Sequence, residues 1–178
     1  MPRSPHPSAG SIGANGGNSA PGLPNSVELS ACLLRWWQTH GRRDPEQKPW
    51  MFKASGGWPE AAHPLDPYGI WIAEVMLQQT QLAVALPYWR RWMAVFPTVE
   101  ALAAASLDEV RLQWQGLGYY SRARRLHEAA QLLVGHPWPH SLEGWMALPG
   151  IGRTTAGSIL SSAFNAPLPI LDGNVKRV

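Results

Sequence analysis

Apolar residues recur at helical spacing through most of the chain from Asn25 onward, and no segment shows the sustained alternation of a half-buried strand. The first such stretch, Val27 to Trp37, is amphipathic, with Asn25 or Ser26 placed as its cap and Gly41 as its stop. A second opens at Asp66, whose carboxylate can cap, and Pro67, which suits the first helical position, and runs on through Thr80. Leu82 to Phe96 is a further apolar helical stretch, interrupted by Pro87 and closed by Pro97. Thr98 then caps Val99 to Ala105, and Ser106 with Glu109 has the spacing of a capping box for a helix through Trp114. Gly116-Leu117-Gly118 ends that helix, Ser121 to Val134 forms another, and Ser141 to Ala147 a short one. The pattern predicts an all-α fold of short helices joined by tight turns.

Two segments lack the pattern. Residues 1–24 are dominated by Pro, Gly, Ser, Asn and Ala, a composition that cannot offset the entropy of ordering, and they are expected to be a disordered tail. An organelle-targeting presequence there would need more Arg than the single Arg3. The stretch 42–65 contains Pro45, Pro49, Gly56, Gly57, Pro59 and Pro64 and reads as a long loop, a tolerated surface insertion before a functional one.

Composition adds little until the tryptophans are counted. There are ten of them, which suits either a large core or stacking on nucleic-acid bases. A formal charge of +3 and a pI near 9.4 favour a polyanionic partner without identifying one. The single cysteine, Cys32, sits in an apolar helical stretch and is expected to be a buried structural thiol. One cysteine excludes an internal disulfide and an all-cysteine metal site within these residues. Without an apolar run of membrane-spanning length, the chain is expected to be soluble and intracellular, cytoplasmic or nucleoid-associated.

Candidate chemistry begins at Glu74. Ile70 and Trp71 lie one helical turn before it and Leu77 one turn after, so the carboxylate shares the apolar stripe of its helix. Either it pairs with an Arg or reaches water at the edge of the stripe, or it is a general acid whose pKa is raised by apolar surroundings. The second site is the turn Leu148-Pro149-Gly150-Ile151-Gly152 ahead of the helix starting at Arg153. Two glycines spaced by one apolar residue allow a turn that side chains would block, and the unpaired amides of the next helix suit a phosphate. The third is Asp172, after the apolar run Ile170-Leu171 and before a helical start, placed either to cap that helix or to face a cleft.

These three sites, in this order, resemble the helix-hairpin-helix superfamily of DNA glycosylases, and within it the adenine glycosylases that act on adenine mispaired with 8-oxoguanine or guanine. The resemblance is carried by Trp71 to Gln81, Phe96-Pro97-Thr98, Gly116 to Arg124, the hairpin from Leu148 to Gly157, and Ile170 to Val178. It implies that residues 25–178 form a glycosylase domain truncated at its C-terminus, with the six-helix barrel half present and the cluster-bearing half mostly missing. Glu74 would protonate the departing adenine, and Asp172 would stabilise or trap the sugar cation. Asn174 and Thr154 would support the two carboxylates. Gln79 and Tyr119 would wedge the duplex while Gly150, Gly152 and neighbouring amides grip its backbone. Arg122, Arg124 and Arg125 would attract phosphates or form a solvated face.

Backbone-cleaving relatives carry a lysine nucleophile where this chain has Thr154, and lack the glutamate at position 74, so the resemblance implies a monofunctional glycosylase. The implied partner is double-stranded DNA with an A:8-oxoguanine or A:G mismatch, engaged by a monomer without membrane involvement. Family members also carry a [4Fe–4S] cluster, whose four cysteine ligands are absent from these 178 residues. Two alternatives stand beside this reading. One is a catalytically silent helix-hairpin-helix DNA-binding fragment, and the other a bifunctional endonuclease III-like glycosylase/lyase.

Overall fold

Short-range capping sets most of the helix boundaries. In the computed structural model, which describes residues 25–53, 55–57, 59, 65–171, 173 and 175–177, every regular element is helical. The tail expected over residues 1–24 lies outside the described residues. The chain divides into two units, Met1–Gly41 and Arg42–Val178.

The first unit contains α1 (Ser26–His40). Asn25 Oδ1 accepts from the amides of Val27 and Glu28, each at 3.0 Å, and the Glu28 carboxylate accepts from the Asn25 amide at 3.1 Å. That reciprocal pair satisfies donors the first turn leaves unpaired. Its apolar residues, among them Leu33, Leu34 and Trp36, are exposed. Cys32 is exposed with them, which corrects the expectation of a buried thiol. An apolar helical pattern predicts that a face can be buried, and whether it is depends on what packs there.

The second unit holds α2 (Pro67–Met76), α3 (Leu82–Val95), α4 (Val99–Ala104), α5 (Leu107–Trp114), α6 (Ser121–Leu133), α7 (Leu142–Met146) and α8 (Arg153–Phe164). Asp66 caps α2 by accepting from the Tyr68 amide at 3.0 Å, and the Ser106–Glu109 capping box opens α5 as expected. Pro87 does not interrupt α3, which runs unbroken past it with Ala85 and Trp92 buried on either side. Anchoring at both ends holds the helix through the one position that donates no hydrogen bond.

The core is built on tryptophan. Trp71, Trp92, Trp114 and Trp145 are fully buried, with Trp92 edge-on to Trp114 at 5.6 Å and Trp71 against Trp145 at 6.2 Å. Of the two roles open to these rings, most serve packing. At the centre lies α2, packed on α8 and α3, with nine of its ten residues buried. A helix apolar on every side belongs in an interior.

Described parts of the 42–65 stretch make contacts within this unit. A single 3-10 turn, Pro49–Met51, packs on α2, with Trp50 buried and its ring 5.4 Å from Trp89. Arg90 donates to the Glu46 carbonyl at 2.9 Å and pairs with the Glu46 carboxylate.

Candidate active site

Burial of α2 leaves one residue of that helix half open, and it is Glu74. The sequence placed Glu74 on one apolar stripe; in the fold the whole helix is apolar surface, and the carboxylate occupies its only outlet. It lines an open cleft of about 560 Å³ with Leu77, Gln78 and Gln79 from the end of α2, Thr154 and Thr155 from the start of α8, and Leu171 and Gly173. Among the described residues of that lining, Glu74 is the only ionisable side chain. Burial pushes its pKa above the ordinary glutamate value, opposed by a hydrogen bond from Ser158 and the charge of Lys48. Two of the lining residues are joined across α2 and α8: the Gln78 side-chain amide donates to Thr155 Oγ at 3.2 Å.

Asp172 and Asn174 lie outside the described residues, so neither carboxylate nor amide is assigned a position; their neighbours Leu171 and Gly173 are cleft residues. Thr154 is exposed in the cleft wall at the start of α8.

Two turns carry the expected wedges. Gln79 has φ 59° and Tyr119 φ 49°, a left-handed backbone uncommon outside glycine. Both are exposed, Tyr119 to 64%. A large side chain held outward on strained backbone marks a place where surrounding structure over-determines the geometry.

That surrounding structure is Arg122. Expected as a phosphate contact or solvated charge, it is instead 7% exposed, and its guanidinium donates to five carbonyls: Val75 at 3.0 Å, Met76 at 3.2 Å, Gln78 at 2.6 Å, Leu117 at 3.2 Å and Gly118 at 3.3 Å. The carbonyls at the end of α2 lack full i→i+4 helical partners and form the negative end of its dipole, which is why a buried cation is tolerated there. Arg122 is thus withdrawn from any DNA interface. Arg124 is exposed and paired with Glu128 one turn on, at 3.4 Å.

The hairpin glycines differ from one another. Gly150 has φ +81°, and a Cβ there would lie 3.0 Å from both Cβ and Cδ of Arg125. Gly152 caps α8 at φ −91° with nothing within 4 Å of a Cβ, so folding does not require glycine at that position. The expectation that both glycines serve the turn therefore holds for Gly150 only.

Sequence reasoning missed Lys48, Ser158, Gln78 and Thr155. The last two adjoin residues already singled out, whereas nothing local marks Lys48 or Ser158 as neighbours of Glu74. The cluster implied by the resemblance does not fit these residues: there is one cysteine, exposed on α1, and no group of three or more His, Cys, Asp or Glu among the described residues could hold a metal. No described helix is long and apolar enough to cross a membrane.

The helical fold is shared with solved structures. An endonuclease III–DNA complex superposes on 87% of this chain and 67% of its own with TM-score 0.66 at 22% identity, and a thermostable thymine-DNA glycosylase on 82% and 62% with TM-score 0.67 at 21% identity. Residues 72–178 match the family described as HhH-GPD superfamily base excision DNA repair protein, and the chain belongs to it. It is 39% identical over 153 residues to the adenine DNA glycosylase of Buchnera aphidicola from Acyrthosiphon pisum, and 45% identical over 150 residues to that of Mus musculus. The human adenine DNA glycosylase is also 45% identical, over 152 residues. These alignments cover 84%, 82% and 82% of this chain but only 40%, 28% and 26% of the relatives, so the chain spans well under half their length.

Proposed function

We propose that this chain carries the excision site of a monofunctional adenine glycosylase acting on adenine opposite 8-oxoguanine or guanine in duplex DNA. The observation that carries the reading is Glu74: a carboxyl whose pKa is raised by burial, lining a cleft of about 560 Å³. The chemistry needs such a group. Adenine leaves poorly as an anion, so as the bond between sugar C1′ and the base breaks, its electron pair goes to the base and a ring nitrogen takes the proton of Glu74. The sugar cation left behind is stabilised by Asp172 and captured by water, which loses a proton and leaves an abasic site.

Access requires the adenine to leave the stack, at a cost of a few kcal/mol. Gln79 and Tyr119 fill or wedge the gap, and the amides beyond Gly150 and Gly152 hold a phosphate. Three features support this division: the exposed left-handed turns, the half-open acid in a cleft that Gln79 and Thr154 also line, and the similarity to adenine DNA glycosylases across most of the chain.

The test is single-turnover excision of adenine opposite 8-oxoguanine by the 178-residue chain, with Glu74→Gln as its counterpart. Excision that Glu74→Gln slows by roughly 10²–10⁴, with duplex binding retained, is the expected result. Near-parental excision by the variant overturns the acid assignment. Binding without excision by either chain supports the second reading, a DNA-binding module whose carboxylates are idle.

A further inference from the structure

We propose that Arg122 is a positioning residue that locks the Gln79 turn and the Tyr119 turn into one rigid double probe for the DNA duplex. The inference rests on the DNA reading of the site and goes beyond it by assigning how the two wedges are made to act together.

One guanidinium bridges both turns. Nη1 donates to the carbonyls of Val75, Met76 and Gln78, the last at 2.6 Å, and Gln78 immediately precedes Gln79. Nη2 donates to Leu117 and Gly118, and Gly118 immediately precedes Tyr119. The carbonyl of the residue before each wedge is therefore held by the same planar group, one turn on each edge of it. The Arg122 amide closes the second turn by donating to the Tyr119 carbonyl at 2.9 Å.

Aromatic contacts complete the clamp. The guanidinium carbon lies 5.2 Å from the Trp114 ring and 5.4 Å from the Tyr119 ring, and Trp114 Nε1 donates to the Gly118 carbonyl at 2.9 Å. Arg122 thus touches one wedge through its ring and the other through the backbone that aims it. A lysine could not do this, since an ammonium is a single point charge without the two-edged fork. With both turns on left-handed backbone, neither holds its shape by local preference, and both draw their geometry from the shared cation.

Coupling of the two probes is measurable without catalysis. The ligand is a duplex carrying 2′-fluoro-2′-deoxyadenosine opposite 8-oxoguanine, in which fluorine disfavours the sugar cation and suppresses excision. Affinity is read by fluorescence anisotropy for the parent, Gln79→Ala, Tyr119→Ala and the double variant, then for the same four chains carrying Arg122→Lys. With Arg122 in place, the double variant should be about fivefold tighter than the product of the two single losses, because losing one wedge already forfeits their joint insertion. With Arg122→Lys the losses should multiply. A residue that only stabilised the fold would lower stability without making two exposed side chains interdependent.

Independent losses in the Arg122 chain overturn the clamp, and that arm needs no substitution at Arg122 itself. Interdependence that survives Arg122→Lys also overturns it. Absence of any duplex binding by the parent overturns the DNA reading of the site, which separates that failure from failure of the clamp.

Discussion

Gly150→Ala and Gly152→Ala give a paired test of how the hairpin divides folding from function. At Gly150 the left-handed backbone, φ +81°, costs a residue with a Cβ about 1–2 kcal/mol. The new methyl also meets Arg125 Cβ and Cδ at 3.0 Å, closer than ordinary contact, and although Cδ can swing away, Cβ moves only with the α6 backbone. The expected total is roughly 2–3 kcal/mol, a large part of a small domain's stability. At Gly152 the backbone is ordinary and the space empty, so strain is nil. Alanine caps a helix less well than glycine but narrows the unfolded ensemble, two terms of about 0.5–1 kcal/mol that oppose each other. Urea titration followed by tryptophan fluorescence reads both, since Trp71, Trp92, Trp114 and Trp145 are buried. Anisotropy on a mismatched duplex then supplies the second axis. Gly152→Ala should unfold within about 0.5 kcal/mol of the parent yet bind DNA about tenfold more weakly, the equivalent of one lost charge-assisted hydrogen bond. A stability cost above about 1 kcal/mol at Gly152, or none at Gly150, would refute the reasoning.

Arg122→Met, which fills similar volume without donors, should cost roughly 3 kcal/mol or more by orphaning buried carbonyls, measured by urea titration. The salt dependence of DNA binding by the folded fraction of the Arg122→Met chain should be unchanged, whereas losing a phosphate contact would reduce the slope by about one ion. Glu74→Gln should be more stable than the parent at neutral pH. A folded pKa above the ordinary 4.5 means the native state binds more protons, so stability falls as pH rises through that interval. The advantage should therefore shrink toward zero below about pH 4.5 in thermal melts, and an advantage that grows on acidification would contradict the burial of the carboxyl. Cys32 should react with a thiol reagent in the native state at nearly the rate of the unfolded chain, and strong protection would place α1 in a buried setting.

The sequence by itself determined what depends on near neighbours. Asn25, Asp66, Thr98, Ser106 and Ser141 each accept from an amide two or three residues ahead, so the starts of α1, α2, α4, α5 and α7 are legible within one turn. Glu74 was legible as an acid in apolar company, and the hairpin as a turn before a helix. Tertiary structure decided the rest. Arg122 carries the same sequence signature as Arg124, yet one is sealed against carbonyls from residues up to 47 positions away and the other pairs at the surface. Every residue has a carbonyl, so no pattern of side chains announces which of them will converge on a cation. For the same reason Lys48 and Ser158 became neighbours of Glu74 only when the 3-10 turn and α8 packed against α2. Capping is written in adjacent residues, whereas the company a charge keeps is chosen by packing, which sums the whole chain.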